Sequence, residues 1–197
     1  KVGVAQRVEL EITLKVGDLS SQAVTQPLAL FDAARQAKAR AALERVDVLV
    51  HNASALAVGP SLADWEASLQ VDLMPAVRAC EQVVPWMTAA GGGSILFVSS
   101  ISGLEADPLP DYGYTAAKAA LIAHAKKLGV MLAPHGIRVN AIAPGSTEFS
   151  GGVWAHMKEH QPQVYAGVRA SVPWGRLATP EEVANVAVFL VSPRASW

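Results

Sequence analysis

Short apolar runs alternate with longer segments of helical period along this chain. The runs predict strands over residues 13–16, 46–50, 94–99 and 137–143. Helices are predicted over 22–44 with a start near Pro27, over 61–88 with a bend at Pro75, and over 113–133 and 183–191. Strands that alternate with helices need crossover connections, which make the sheet parallel and cover both of its faces. The pattern therefore predicts an α/β fold, a doubly wound parallel sheet with helices on both faces, in a single domain over residues 1–197.

Two of the predicted helices begin with strong local signals. Ser61 has Asp64 three residues later, which is typical of a capping box. The segment Thr179-Pro180-Glu181-Glu182 combines a cap residue, a first-turn proline and an acidic third residue. Both signals predict where a helix starts, independently of the apolar pattern.

Composition narrows the class of protein. Of 197 residues, 51% are hydrophobic and only 17% are charged, which excludes a disordered chain. Sixteen basic residues face seventeen acidic ones, so the formal charge of −1 gives no footprint for nucleic acid or an anionic membrane. The single cysteine, Cys80, cannot form an internal disulfide, and no apolar run is long enough for a membrane span or signal peptide. We therefore expect a cytoplasmic protein.

Polar and small residues follow the predicted strands. In doubly wound sheets, ligands bind at the carboxyl ends of the strands. The stretches at that edge are Asp18, residues 52–54, residues 99–103 and residues 144–147. Since these ends meet on one side of a parallel sheet, the sequence predicts that they line a common site.

Tyr114 and Lys118 lie four residues apart on a predicted helix, so their side chains share one face. A free phenol has a pKa of ~10, and a nearby ammonium favours its ionised form. The spacing thus predicts a phenol whose pKa is lowered until it can exchange protons near neutrality. Ser100, at the end of a predicted strand, has a hydroxyl that can hold a substrate oxygen.

Four segments, in this order, resemble the short-chain dehydrogenase/reductase family. They read SILFVSSISG, YTAAKAAL, IRVNAIAPG and GRLATPEEVANVAVFLVSP. The resemblance runs from about Val16 to the last residue and implies a Rossmann-like fold. It also implies an NAD(P)-dependent oxidoreductase that interconverts a carbonyl and an alcohol, of the 3-oxoacyl reductase type among others, in a homotetramer. The cofactor implied is NAD or NADP, and the partner is a small-molecule substrate.

The resemblance also implies a role for individual residues. Tyr114 would be the acid/base, Lys118 its pKa partner and ribose anchor, and Ser100 the hydroxyl that orients the substrate. Asp72 stands at the fourth catalytic position. The remaining cofactor-binding residues would be Asp18, Leu19, Asn52, Ala53, Ser54, Pro144, Gly145, Ser146 and Thr147.

The chain departs from the family pattern in several places. It carries no glycine-rich turn after a first strand, and the family's final strand is missing, so we expect that it represents part of a longer protein. Asp72 replaces the usual asparagine, whose role is to hold a helix bend and a water that leads to the lysine. Ser54 replaces the glycine of Asn-Ala-Gly, and Phe149 replaces a common threonine. An ionised Asp72 near Lys118 would oppose the effect of the lysine on Tyr114.

Two other classes of protein are open. Residues 156–160, HMKEH, match the H-x-x-E-H pattern of some zinc proteases, with Glu181 or Glu182 as a conceivable third ligand. The alternatives for this segment are a surface helix and a substrate lid, and we expect no metal. The other class is a catalytically impaired relative that binds a cofactor or partner, which the missing glycine turn and Asp72 would explain.

Overall fold

The computed structural model describes residues 45–196 and, before them, a short antiparallel strand pair. Its strands are Glu9–Leu10 (β1) and Gln26–Pro27 (β2), with Glu9 opposite Pro27. Residues 26 and 27, which fall within the helix predicted over 22–44, are therefore strand. Proline fixes φ and lacks an N–H, which a strand tolerates at an edge. The predicted strand over 13–16, the rest of the predicted helix over 22–44, and Asp18 and Leu19 lie outside the described residues.

A three-stranded parallel sheet forms the centre of the described part. Its strands are Val48–His51 (β3), Gly93–Val98 (β4) and Ile137–Ile142 (β5), in the order β3-β4-β5. Val48 pairs with Ser94, and Gly93 pairs with Ile137. The predicted parallel sheet is confirmed here, and β3 runs on to His51.

Helices cover both faces of this sheet. The helices of the described part are Leu62–Ser68 (α1), Met74–Ala89 (α2), Tyr112–Leu132 (α3), Val153–His160 (α4), Pro162–Ser171 (α5) and Pro180–Val191 (α6). On one face α2 and α3 build a core around Ala76, Phe97 and Leu121, each fully buried. On the other face Val191 of α6 packs with Leu96 and Ile142. The predicted α/β layers are confirmed, because buried residues of the strands alternate between two helical layers.

An irregular turn interrupts the long helical segment before α2. Residues Leu69–Leu73 form one π-helical stretch between α1 and α2. Pro75 has no N–H to donate to the carbonyl of Val71, so regular helix geometry is disturbed there. This is the bend that the sequence predicts at Pro75. The π-helical stretch contains Asp72, which is fully buried.

Both predicted capping boxes are present. Ser61 starts α1 by accepting from the backbone N–H of Asp64, and Thr179 starts α6 in the same way with Glu182. At the other end of α6, the Arg138 guanidinium donates to the carbonyls of Leu190, Val191 and Ser192 at 2.7–3.2 Å. Among the described residues, no helix has the length and apolarity needed to cross a bilayer.

Candidate functional site

The loops after β4 and β5 meet at the carboxyl edge of the sheet. The backbone N–H of Ser99 donates to the carbonyl of Ile142 at 2.7 Å, and that of Ile101 donates to Pro144 at 3.0 Å. Ser100 caps the short 3₁₀ turn Ile101–Gly103 by accepting from the N–H of Ser102. The two loops are thus joined by backbone hydrogen bonds, as the positions of these strand ends predict.

Helix α3 is clamped against the loop that carries Ser100. The Ser99 hydroxyl donates to the carbonyl of Lys118 at 2.7 Å. At Gly103, an added Cβ would lie 2.8 Å from the backbone of Lys118 and Ala119, so only glycine allows this approach. These contacts set the distance between Ser100 and the side chains of Tyr114 and Lys118.

Tyr114, Lys118 and Ser100 come together at this edge. The Lys118 ammonium lies 5.4 Å from the centre of the Tyr114 ring, and the Ser100 side chain lies near enough to the Tyr114 phenol to lower its pKa. The ammonium also donates to the carbonyl of Val98 at 3.2 Å. The grouping of these three side chains agrees with the prediction from spacing.

Asp72 forms a direct ion pair with Lys118. Its Oδ1 lies 3.1 Å from the ammonium, and the side chains are 0% and 3% exposed. The same oxygen accepts from the Ser54 hydroxyl at 2.5 Å, while Oδ2 accepts from the N–H of Ala55 at 3.1 Å. The π-helical turn thus brings the carboxylate into direct contact with the ammonium.

The pKa of Tyr114 is raised, whereas the sequence predicts that Lys118 lowers it. Burial of the phenol is the main cause, and the negative charges of Asp72 and Asp111 add to it. The Ser100 side chain acts in the opposite direction. The prediction fails mainly because the phenol is buried, and in addition the carboxylate of Asp72 offsets the positive potential of Lys118. Burial lowers the pKa of Lys118 itself, and Asp72 acts against that decrease.

His51 is a buried group one residue beyond the strand that the sequence predicts over 46–50. It ends β3 with 2% exposure, and its ring meets that of Phe97 edge-on, with 6.4 Å between centres. Burial, followed by the charge of Lys118, lowers its pKa to about 4. Neither ring nitrogen has a hydrogen-bond partner among the described residues. Strand alternation could have revealed it, since His51 lies two residues after Leu49 and faces the same layer.

The other predicted residues of this edge differ in exposure. Asn52 is exposed and Ala53 is 2% exposed. The hydroxyl of Thr147 donates to the carbonyl of Gly145 at 3.1 Å, and Thr147 bridges to Ala178. Phe149 is half-exposed, with its ring where a Cβ on Gly152 would fall. The loop over residues 144–147 therefore lies beside Ser100 and is held by the segment before α6.

The zinc alternative lacks a third ligand in the described part of the chain. His156 and His160 stack on the exposed side of α4, with ring centres 4.0 Å apart. Both carboxylate oxygens of Glu182 bind Arg176. Among the residues that the structure describes, no three His, Cys, Asp or Glu side chains form a group that could hold a metal. The pair therefore belongs to a polar helix surface.

The donor set suits one end of a nicotinamide cofactor. An ammonium has three N–H donors, and Lys118 uses two of them, on Asp72 and Val98. The third donor and the phenol of Tyr114 can serve ribose hydroxyls. The glycine triplet over residues 91–93 leads into the amino end of β4, away from this edge, and does not suit a pyrophosphate.

A parallel sheet between two helical layers, with polar groups at its carboxyl edge, defines a Rossmann-like nucleotide-binding fold. The family described as enoyl-(acyl carrier protein) reductase matches residues 7–197. An oxidoreductase of the short-chain dehydrogenase/reductase family from Burkholderia thailandensis superposes with a TM-score of 0.74 at 38% identity, covering 84% of this chain and 65% of that one. The chain belongs to the short-chain dehydrogenase/reductase family, as the sequence motifs indicate.

Two curated relatives show how far this similarity extends. Isoepoxydon dehydrogenase patN from Penicillium expansum is 39% identical over 155 residues, which cover 79% of this chain and 60% of that protein. The 3-oxoacyl-(acyl-carrier-protein) reductase FabG of Thermotoga maritima is 39% identical over 158 residues, 78% of this chain and 61% of that protein. The chain thus spans about 60% of the length of these relatives.

Proposed function

We propose that the protein is an NAD(P)-dependent oxidoreductase that interconverts a carbonyl and an alcohol. The observation that carries this proposal is the group formed by Tyr114, Ser100 and Lys118 at the carboxyl edge of the sheet. The names of the relatives, a dehydrogenase and a 3-oxoacyl reductase, support the same reaction class. When bound, the cofactor supplies the hydride chemistry.

In this proposal Tyr114 is the acid that protonates the substrate oxygen. Its raised pKa keeps the phenol protonated at neutral pH, which suits carbonyl reduction. Ser100 accepts or donates a hydrogen bond beside the phenol and orients the substrate oxygen. Lys118, held by Asp72 and Val98, would hold the cofactor ribose with its remaining N–H. NAD and NADP are both compatible with these residues.

The remaining cofactor contacts belong to the same proposal. Asn52, Ala53 and Ser54 follow β3, and the loop over 144–147 follows β5, so both would contact the cofactor from the carboxyl edge of the sheet. Asp18 and Leu19 would flank the adenine ring. The substrate class is a small carbonyl or alcohol, for which 3-oxoacyl thioesters are the first compounds to assay. A cytoplasmic location stays a prediction of the sequence.

The test compares two tyrosine variants of the purified protein. Tyr114→Phe removes the proton donor and should lower kcat by about 10²–10⁴-fold. Tyr112→Phe is the matched control, because Tyr112 is 56% exposed on the same helix and should keep normal turnover. Turnover is followed by cofactor absorbance with 3-oxoacyl and small diketone substrates. Near-normal turnover by Tyr114→Phe would reject the proposal.

A second candidate is the catalytically impaired relative. The observation that favours it is the ion pair of Asp72 with Lys118, which removes the positive potential that would activate Tyr114. This candidate predicts cofactor binding with no turnover in either the wild type or Tyr112→Phe. Measurable turnover in the wild type excludes it.

A further inference from the structure

We propose that Ser54 is a positioning residue, which acts through Asp72 to hold Lys118 at the proposed site. The inference rests on the proposed function, in which Lys118 anchors the cofactor. It starts from an unexpected contact: two of the departures from the family pattern, Ser54 in place of glycine and Asp72 in place of asparagine, touch each other. They lie eighteen residues apart in the chain.

The hydrogen bonds around Ser54 determine the direction of its hydroxyl. The N–H of Leu56 donates to Ser54 Oγ at 3.2 Å. The hydroxyl proton is therefore free to point to Oδ1 of Asp72, which lies 2.5 Å from Oγ. A hydrogen bond from a hydroxyl to an ionised carboxylate is short and strong, and this distance agrees with that class.

The buried carboxylate of Asp72 needs the hydrogen-bond donors that Ser54, Ala55 and Lys118 supply. An ionised carboxylate only accepts hydrogen bonds, and a fully buried one is unfavourable unless its oxygens are satisfied. Oδ2 has the N–H of Ala55, and Oδ1 has Ser54 and Lys118. A glycine at position 54 would leave the ammonium as the one side-chain donor that these contacts give Asp72.

The surroundings of position 72, Ser54 included, suit the amide of an asparagine less well than the carboxylate of Asp72. An asparagine at position 72 would place its NH₂ group against either the N–H of Ala55 or the ammonium of Lys118, and both of these are donors. Ser54 and Asp72 are therefore chemically matched. Through this pair, the loop after β3 is connected to the lysine on α3.

A double-mutant cycle tests the coupling. Ser54→Gly, Asp72→Asn and the double variant are made in the purified protein, and kcat and the cofactor KM are measured for each. We expect Ser54→Gly to lower kcat about tenfold, with a smaller change in KM, because it removes a hydrogen bond to a charged group. In the Asp72→Asn background the same change should cost at least about fivefold less.

Ser94→Ala is the matched control. Ser94 is 3% exposed at the amino end of β4, and its hydroxyl has no partner among the described residues, so its loss should leave kcat unchanged. Circular dichroism and thermal unfolding verify that each variant is folded. If Ser54→Gly does not fold, Ser54→Ala, which removes only the hydroxyl, takes its place in the cycle.

The outcomes separate this inference from the proposed function. Independent effects of the two substitutions on kcat, or an unchanged kcat in Ser54→Gly, would overturn the role of Ser54. If Tyr114→Phe nevertheless abolishes turnover, the oxidoreductase proposal stands and only the coupling is rejected. If Tyr114→Phe keeps turnover, the proposed function is rejected, and the role of Ser54 that rests on it is rejected with it.

Discussion

The carboxylate of Asp72 raises the pKa of both Tyr114 and Lys118. Asp72→Asn removes this charge, so both pKa values should fall. We expect the pH–rate profile for alcohol oxidation to move to lower pH. Asp47→Asn is the control, since Asp47 is exposed near the start of β3 and pairs with Arg45. Superimposable profiles for the wild type and Asp72→Asn would contradict this interpretation.

His51 makes the stability of the fold sensitive to acid. Its pKa falls from 6.5 to about 4, so the unfolded chain binds a proton that the folded chain refuses. Stability is complete above about pH 6.5 and is lost as the pH falls toward 4, a loss on the order of 3 kcal/mol. Denaturant unfolding at several pH values measures it. His51→Gln should flatten this dependence and the exposed His135→Gln should not; equal slopes in the two variants would disprove the assignment.

At the scale of elements, the contribution of helix α6 to stability depends on the contacts at its two ends. The hydroxyl of Thr179 accepts a hydrogen bond from the N–H of Glu182 at the start of the helix. Near the end of the helix, the buried Val191 packs with Leu96 and Ile142 on the second face of the sheet. Thr179→Ala should lower the free energy of unfolding by about 1 kcal/mol, as for other lost caps. Thr88→Ala, at an exposed position near the end of α2, should change it by less than about 0.5 kcal/mol. Urea unfolding compares the two variants, and equal losses would show that the cap contributes nothing.

At the scale of the molecule, we predict a homotetramer. The family resemblance suggests it, and α2 and α3 carry many alanine and valine residues suited to close helix packing. Helix α3 also leaves large apolar side chains exposed, with Val130 at 73% and Met131 at 57%. Light scattering at micromolar concentration should give four times the mass of the protomer. A monomeric mass at that concentration would reject the prediction.

Local patterns were enough for the sequence to determine the architecture. Apolar period identified strands β3, β4 and β5 and the helical segments of α1, α2, α3 and α6, because each residue faces one layer according to its position in the period. It did not delimit α4 or α5. Caps at Ser61 and Thr179 and the shared helix face of Tyr114 and Lys118 depend on neighbours within four residues. The strand at residues 26 and 27 was not predicted, since its pairing with β1 lies outside any local window.

Contacts between distant segments decided the chemistry of the site. The bonds of Asp72 to Ser54 and Lys118, the burial of His51 and the raised pKa of Tyr114 depend on packing across β3, the π-helical turn and α3. Charge and burial act through space, so the sign of a pKa shift follows from which groups the fold places side by side. The sequence alone determined which residues form this edge of the sheet, and only the tertiary structure decided that the lysine there is neutralised by a carboxylate.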